Sequence, residues 1–382
     1  MLVRPCLLQR LRRRLPRVGP GPGPGPTRGV MELRAVAAAL DALAPPGLAE
    51  SWDNVGLLCE PSPPHAVRTL LLTTDLTEPV LDEALARGAE LVLAYHPPLF
   101  RPLRRLTPAT GWRDRLLLRA AESRVGLYSP HTALDALPRG VNAWLAAALG
   151  ASTSSVPIQP STTLTYPTKG SHRVEFVVGQ AEQLEAVLAK VQKIPEVSSI
   201  VTLPARAEGE DQTRVSLNCT EKAMQDVMSL LSQNGLYHMT EILLLQKPLL
   251  PQTGMGRLCK LSKPASLSAL IERIKNYLKL SYVRLALGVG KTLESQIRTV
   301  AVCAGSGRSV LQGVEADLYL TGEMSHHEVL DVVGNGISVI LCEHSNSERG
   351  FLLELQDMLV THLENKVNII VSEIDRDPLQ LA

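Results

Sequence analysis

Short, nearly unbroken apolar runs recur along this chain, each followed within a few residues by a polar side chain or a glycine, with amphipathic stretches of helical length between them. A strand that is apolar at every position must be covered on both faces, the condition of a parallel sheet packed between helices. Residues 67–74 (VRTLLLTT), 91–95 (LVLAY) and 125–128 read as such strands. Helical periodicity marks 31–43, 78–87, 112–123 and 141–149. The rhythm returns after Met255, with helices expected over 266–278, 325–333 and 351–363. Strands are expected there over 282–287, 299–303, 317–320, 338–342 and 367–371.

A different order separates these flanks. Residues 151–170 are rich in Ser, Thr and Pro and read as a linker. Beyond them come a strand (172–178), a helix (181–193), strands 198–203 and 213–218, a helix (221–232) and a strand (241–246). This βαββαβ order fits a ferredoxin-like α+β module over 171–250, bounded by Gly170 and by Pro248 and Pro251. The simplest architecture is one α/β unit built from two halves, 31–150 and 251–382, with that module inserted. Ahead of Met31, residues 1–18 are arginine-rich and acid-free, and 19–26 are a Gly-Pro repeat that cannot pack. The 1–30 extension reads either as a mitochondrial targeting peptide or as a disordered leader with Met31 as an alternative start.

Composition excludes several function classes. With 45% hydrophobic and 20% charged residues the chain is too apolar for disorder, and 382 residues suggest two to three domains. No apolar run reaches 18 residues, so no spanning helix and no membrane partner is expected. Setting aside the seven arginines of 1–30 leaves 32 basic against 38 acidic residues, a net of −6. A mildly acidic body, with aromatics at only 3%, argues against direct nucleic-acid binding and against a stacking platform for single strands. The six cysteines show no CxxC spacing, which fits small core residues in a reducing compartment.

Chemistry in open α/β sheets gathers at the carboxyl ends of the strands. There this chain places Asp75, His96, His131 and Asp135, Gly305-Ser306-Gly307, Glu323, and His344 and Glu348. Imidazoles and carboxylates without thiolates suit a divalent transition metal such as Zn, Mn, Fe or Co. His344 and Glu348 are spaced i, i+4 and share a face if a helix starts there; His131 and Asp135 repeat the spacing. Pro97 and Pro98 stiffen the backbone beside His96. Gly305–Gly307 reads as an anion cradle or, preferably, a tight turn, since it is no P-loop. His326 and His327 are adjacent on a helix, cannot easily share one ion, and read as a solvated face.

The motifs SWDNVGLL (51–58), YHPPLF (95–100), YSPHTALDA (128–136), AGSG (304–307), ADLYLTGEMSHHE (316–328) and CEHSNSERG (342–350) resemble the NIF-three-like family, also called GTP cyclohydrolase I type 2 homologues. The resemblance runs from Met31 to the C-terminus. It implies a three-layer α/β/α fold with an inserted module and a toroidal homohexamer. It also implies a dinuclear site ligated by His96, Asp135, His344 and Glu348, with Glu348 bridging. Tyr95 stands where the family has a first histidine, and a phenol of pKa about 10 is a poor ligand at neutral pH, so the expectation is one or two ions per chain. Tyr95, His131, Glu323 and Asp75 are expected around the ligands or in the cleft. The cyclohydrolase name is an analogy. Three functions follow as alternatives: a metal-dependent hydrolase on a small nucleotide or pterin-like substrate; a co-regulator scaffold binding transcription-regulator proteins in cytoplasm and nucleus; or metal storage.

Overall fold

The computed structural model describes residues 29–166, 168–207 and 210–379. The arginine-rich segment and the Gly-Pro run, with the targeting-peptide reading attached to them, lie outside the described residues. The first half and the C-terminal strand build a five-stranded sheet in the order Asn368–Val371, Thr69–Thr73, Leu91–Ala94, Gly126–Ser129, Gly56–Cys59. The first four run parallel and the last antiparallel. Leu70, Leu72, Leu91 and Leu93 point to one face, Leu71, Val92 and Ala94 to the other, and all are buried. This is the continuous apolar pattern of a sheet covered on both sides.

The second half builds a six-stranded sheet ordered Arg284–Ala286, Ser338–Leu341, Leu318–Glu323, Gln296–Ser306, Arg257–Ser266, Ser152–Val156. Its three central strands are parallel. The expected single unit is thus two sheets, each with helices on both faces. The helices Leu33–Leu43, Val141–Ala147, Leu267–Leu278 and Phe351–His362 lie between them and join both sheets in one core. The outer faces are covered by Glu78–Ala86 and Trp112–Glu122 on one side and by His326–Gly334 on the other. Sequence caps fix the helix starts. Ser266 accepts from the Ala269 amide, and Ser325 with Glu328 forms a reciprocal capping box.

The stretch expected as a linker instead contributes two strands, Ser152–Val156 at the edge of the second sheet and Gln159–Thr162 against Leu249–Met255. At an edge, one face and one row of backbone groups stay in water, so Ser, Thr and Pro are tolerated and the apolar signature is lost. Residues 172–244 form a separate antiparallel sheet ordered Val197–Ala207, Glu210–Cys219, His172–Val178, Thr240–Leu244. Two helices, Ala181–Val191 and Glu221–Gln233, cover one face. This is the ferredoxin-like order, with its own core around Phe176, Val187, Leu217 and Val227.

Candidate metal centre

The carboxyl ends of the two parallel sheets meet, and the polar residues after six strands converge there. Two imidazoles face one buried carboxylate. His96 Nε2 lies 3.4 Å from Glu348 Oε2, and His344 Nε2 lies 3.4 Å from Glu348 Oε1. Ligand atoms of these three residues all fall within 4.8 Å of one another. Glu348 is 5% exposed, and its Oε2 has no hydrogen-bond partner. A buried carboxylate oxygen left without a donor is costly unless something positive satisfies it.

Each imidazole is oriented from behind by a second carboxylate. Asp75, after strand Thr69–Thr73, lies 3.0 Å from His96 Nδ1. Glu323, at the end of strand Leu318–Glu323, lies 2.9 Å from His344 Nδ1. The arrangement repeats at His131, whose Nδ1 is 2.8 Å from Asp53 Oδ1, and its ring centroid is 5.3 Å from that of His96. Asp53 is anchored in turn by the Thr132 amide and hydroxyl. A carboxylate on Nδ1 fixes the tautomer and ring plane and leaves Nε2 as the working nitrogen.

The segment after His344 forms a single 3-10 turn, Ser345–Ser347, rather than the start of an α-helix, and the i, i+4 pair still meets across it. Glu343 before it has φ +68°. Gly305 lies directly against the pair: a Cβ there would sit 2.6 Å from Glu348 Oε1 and 3.1 Å from His344 Nε2, and its φ is +61°. The Gly305 and Gly307 amides donate to Ser347 Oγ and Thr321 Oγ1, so this segment is a closely packed turn and not an anion cradle. His326 and His327 lie exposed on their helix.

Asp135 stands outside the three-residue group. Its Oδ1 accepts the Tyr95 hydroxyl at 2.6 Å, and Tyr95 is buried. The Tyr95 ring packs edge-on against His96 and His131, and its hydroxyl occupies the carboxylate expected to be a ligand. Burial pushes Asp135 up to about 6; the Tyr95 hydrogen bond opposes this and the nearby Glu348 charge adds to it. Burial, with Asp135 and Glu348 close by, also drives the Tyr95 phenol well above its ordinary value, so it stays a proton donor. For His96 burial disfavours the charged ring, but the carboxylates of Asp75 and Glu348 outweigh it and lift the ring to about 10. The carboxylates around this ring thus favour positive charge at this point, as a proton or as a bound cation.

Asp53, Trp52 and Phe100 lie within the motifs SWDNVGLL and YHPPLF but carry no role in the sequence reading. The ring centroids of Trp52 and Phe100 lie 5.9 and 6.5 Å from His131. Asp53 precedes an antiparallel strand, outside the parallel-strand ends where ligands were sought; the carboxylate–histidine pattern had no local signal across 78 positions.

Two helix-covered sheets, with carboxylate-backed imidazoles converging on a buried glutamate between them, define an α/β protein with a candidate metal centre. The chain belongs to the Duf34/NIF3 (NGG1p interacting factor 3) family, whose signature matches residues 31–378. It is 61% identical over 357 residues to NIF3-like protein 1 of Homo sapiens, covering 93% of this chain and 94% of that one. It is 30% identical over 345 residues to NGG1-interacting factor 3 of Saccharomyces cerevisiae, covering 87% and 91%. A Bacillus cereus protein related to NIF3 shares the fold at a TM-score of 0.62 and 22% identity, over 92% of this chain and 99% of that one.

Proposed function

We propose that the chain is a divalent-metal-dependent hydrolase acting on a small nucleotide or pterin-like substrate, with His96, His344 and Glu348 holding the ion. The observation that carries this reading is the buried, unpartnered Glu348 Oε2 between two imidazoles whose Nδ1 atoms are already committed to carboxylates. Two nitrogens and a carboxylate are a donor set for Zn, Mn, Fe or Co. The chemistry supplied by such an ion is Lewis-acid polarisation of a substrate oxygen and activation of a water molecule. Asp75 and Glu323 orient the two rings. His131, held by Asp53 and outside the ligand group, is placed to move a proton through Nε2. Asp135, titrating near neutrality and hydrogen-bonded to Tyr95, is a second proton-transfer candidate. Metal analysis of protein purified without added metal, followed by zinc and manganese titration of the stripped protein, tests the reading. At least one tightly held ion per chain is expected, and none would refute it.

A second reading is a co-regulator scaffold. The yeast relative's name, NGG1-interacting factor 3, is that of a protein that binds another protein, and this supports a scaffold role; the partner class expected here is a transcription regulator, in nucleus or cytoplasm. No helix among the described residues is long and apolar enough to cross a membrane. Self-association into a hexamer would suit such a scaffold, and light scattering on the full chain reads it directly.

A further inference from the structure

Aromatic side chains are scarce in this chain, yet two of its six Trp and Phe residues stand exposed side by side next to the candidate metal centre. Trp52 is 58% and Phe100 41% exposed. Their centroids are 5.9 Å apart with ring planes inclined at 47°. The rings are held by the scaffold: the Asn54 side-chain amide donates to the Leu99 carbonyl at 2.5 Å, clipping together the two loops that carry them. His131 contacts both edge-on and sits 5.3 Å from His96, so the pair opens directly onto the imidazole cluster.

Large rings left in water beside a polar cleft are unfavourable for folding and unused by the core. Their separation leaves no room for a third ring between them, which needs roughly 7 Å, two contact distances of about 3.5 Å. Their exposure does leave ring surface available to a flat ligand. Immediately after Phe100 the chain reads Arg101, Pro102, Leu103, Arg104, Arg105, Leu106, all exposed. Arg104 and Arg105 are within about 18 Å of Phe100 along even a fully extended chain. No carboxylate pairs with Arg101, Arg104 or Arg105 among the described residues, whereas Arg115 and Arg119 in the next helix are paired with Glu78 and Asp82.

We propose that Trp52 and Phe100 form the ring-binding subsite of this centre and that the 101–105 loop supplies cations for an attached phosphate, so that the ligand is a mononucleotide. This rests on the hydrolase reading for its purpose but not for its binding chemistry, because neither the rings nor the arginines need a metal. Stacking selects any planar heteroaromatic base, and unpaired guanidinium groups select the anion it carries. The acidic average of the folded body conceals this local reversal of charge.

The test is calorimetric titration of metal-stripped full-length protein with GMP, guanosine and inorganic phosphate separately. GMP is expected to bind more tightly than guanosine, and phosphate alone weakly. Trp52→Leu is expected to weaken GMP and guanosine alike by about tenfold, within the range of base–aromatic stacking. The double variant Arg104→Ser/Arg105→Ser is expected to weaken GMP about two- to fivefold and leave guanosine unchanged. Trp112→Leu, an exposed tryptophan covered by Arg113, serves as a control with unchanged affinity. Equal GMP affinity in parent and Trp52→Leu, with unchanged thermal melting, overturns the proposal. So does a single-stranded oligonucleotide binding over a hundredfold tighter than GMP. A protein that binds zinc but not GMP fails this inference alone; one that binds GMP but no metal fails only the hydrolase reading.

Discussion

Adding one methyl group at Gly305 should separate the candidate centre from the fold that carries it. In Gly305→Ala the new Cβ would lie 2.6 Å from Glu348 Oε1, where ordinary contact begins near 3.4 Å. The carboxylate oxygen must therefore retreat by roughly 0.8 Å and His344 Nε2 by about 0.3 Å, against a tolerance of about 0.2 Å in metal–ligand distances. A fall in metal affinity of about 10- to 100-fold is expected, the size seen when ligand positioning is disturbed. The left-handed φ of +61° adds backbone strain of about 1–2 kcal/mol for a residue with a Cβ. That would lower the melting temperature of the metal-free protein by a few degrees. Gly313→Ala is the matched control: its φ is +76° and a Cβ there meets nothing within 4 Å. It should show the melting shift without the affinity loss. The assay is competition for zinc against a chelator of known affinity, run beside thermal unfolding of the stripped protein. Zinc affinity within twofold of the parent in Gly305→Ala would refute the assignment of Glu348 and His344 as ligands.

Other perturbations probe neighbouring features. His344→Ala and Glu348→Ala should each abolish tight metal binding while the protein stays folded; unchanged stoichiometry in either would contradict the site. Tyr95→His removes the phenol from Asp135 and should introduce a second metal-binding step absent from the parent, whereas identical titrations with reduced melting would show that Tyr95 serves only packing. Replacing residues 172–244 with a short Gly-Ser join should leave metal affinity intact, because the module has its own core and the Leu245 amide bonds the Ser171 carbonyl at 2.8 Å across its base; a folded deletion variant that binds no metal would show otherwise. For Asp317, burial raises the carboxyl, but the Arg298 and Thr299 amides and the Thr299 hydroxyl outweigh it and hold it below the ordinary value. Its stabilisation is therefore present above the unfolded pKa near 4 and lost as pH falls through the lower folded value. Asp317→Asn should melt earlier than the parent at pH 7, with the gap narrowing as pH falls below the unfolded pKa; a constant gap would be inconsistent with this account.

The legible parts of the fold were those in which one residue type had to serve one environment. Continuous apolar strands such as LVLA at 91–94 can only be buried on both faces, and the histidines and acids following them had to emerge at a sheet end. His96, His344 and Glu348 stand among the strand-end residues for that reason, together with Asp75, His131, Asp135 and Glu323; their reading as ligands came from the family resemblance. Ser152–Val156 was missed because an edge strand needs no continuous apolar face. Arg257–Ser266 was missed because Arg257 interrupts its pattern: the guanidinium is buried, donating to the Gly254, Gly256 and Leu137 carbonyls. Asp135 was legible as a carboxylate in the right place, but its engagement by Tyr95 depends on a contact across 40 positions. Trp52 and Phe100 were invisible to composition, since an average of 3% aromatics says nothing about where the few are gathered.

The strand Thr69–Thr73 finds its outer neighbour only in Asn368–Val371, about 300 residues later. At a synthesis rate of about 5–20 residues per second, roughly 15–60 s pass on the ribosome between the two. Throughout that interval the nascent first sheet presents an unpaired apolar edge, and His96 has not yet met Glu348. Residues 368–371 must be translated before the sheet is closed, and Glu348 before the centre exists, so a nonsense codon between the two halves would yield an edge-exposed, aggregation-prone product rather than a shortened working protein. Chaperone demand during synthesis is thereby written into the order of the strands.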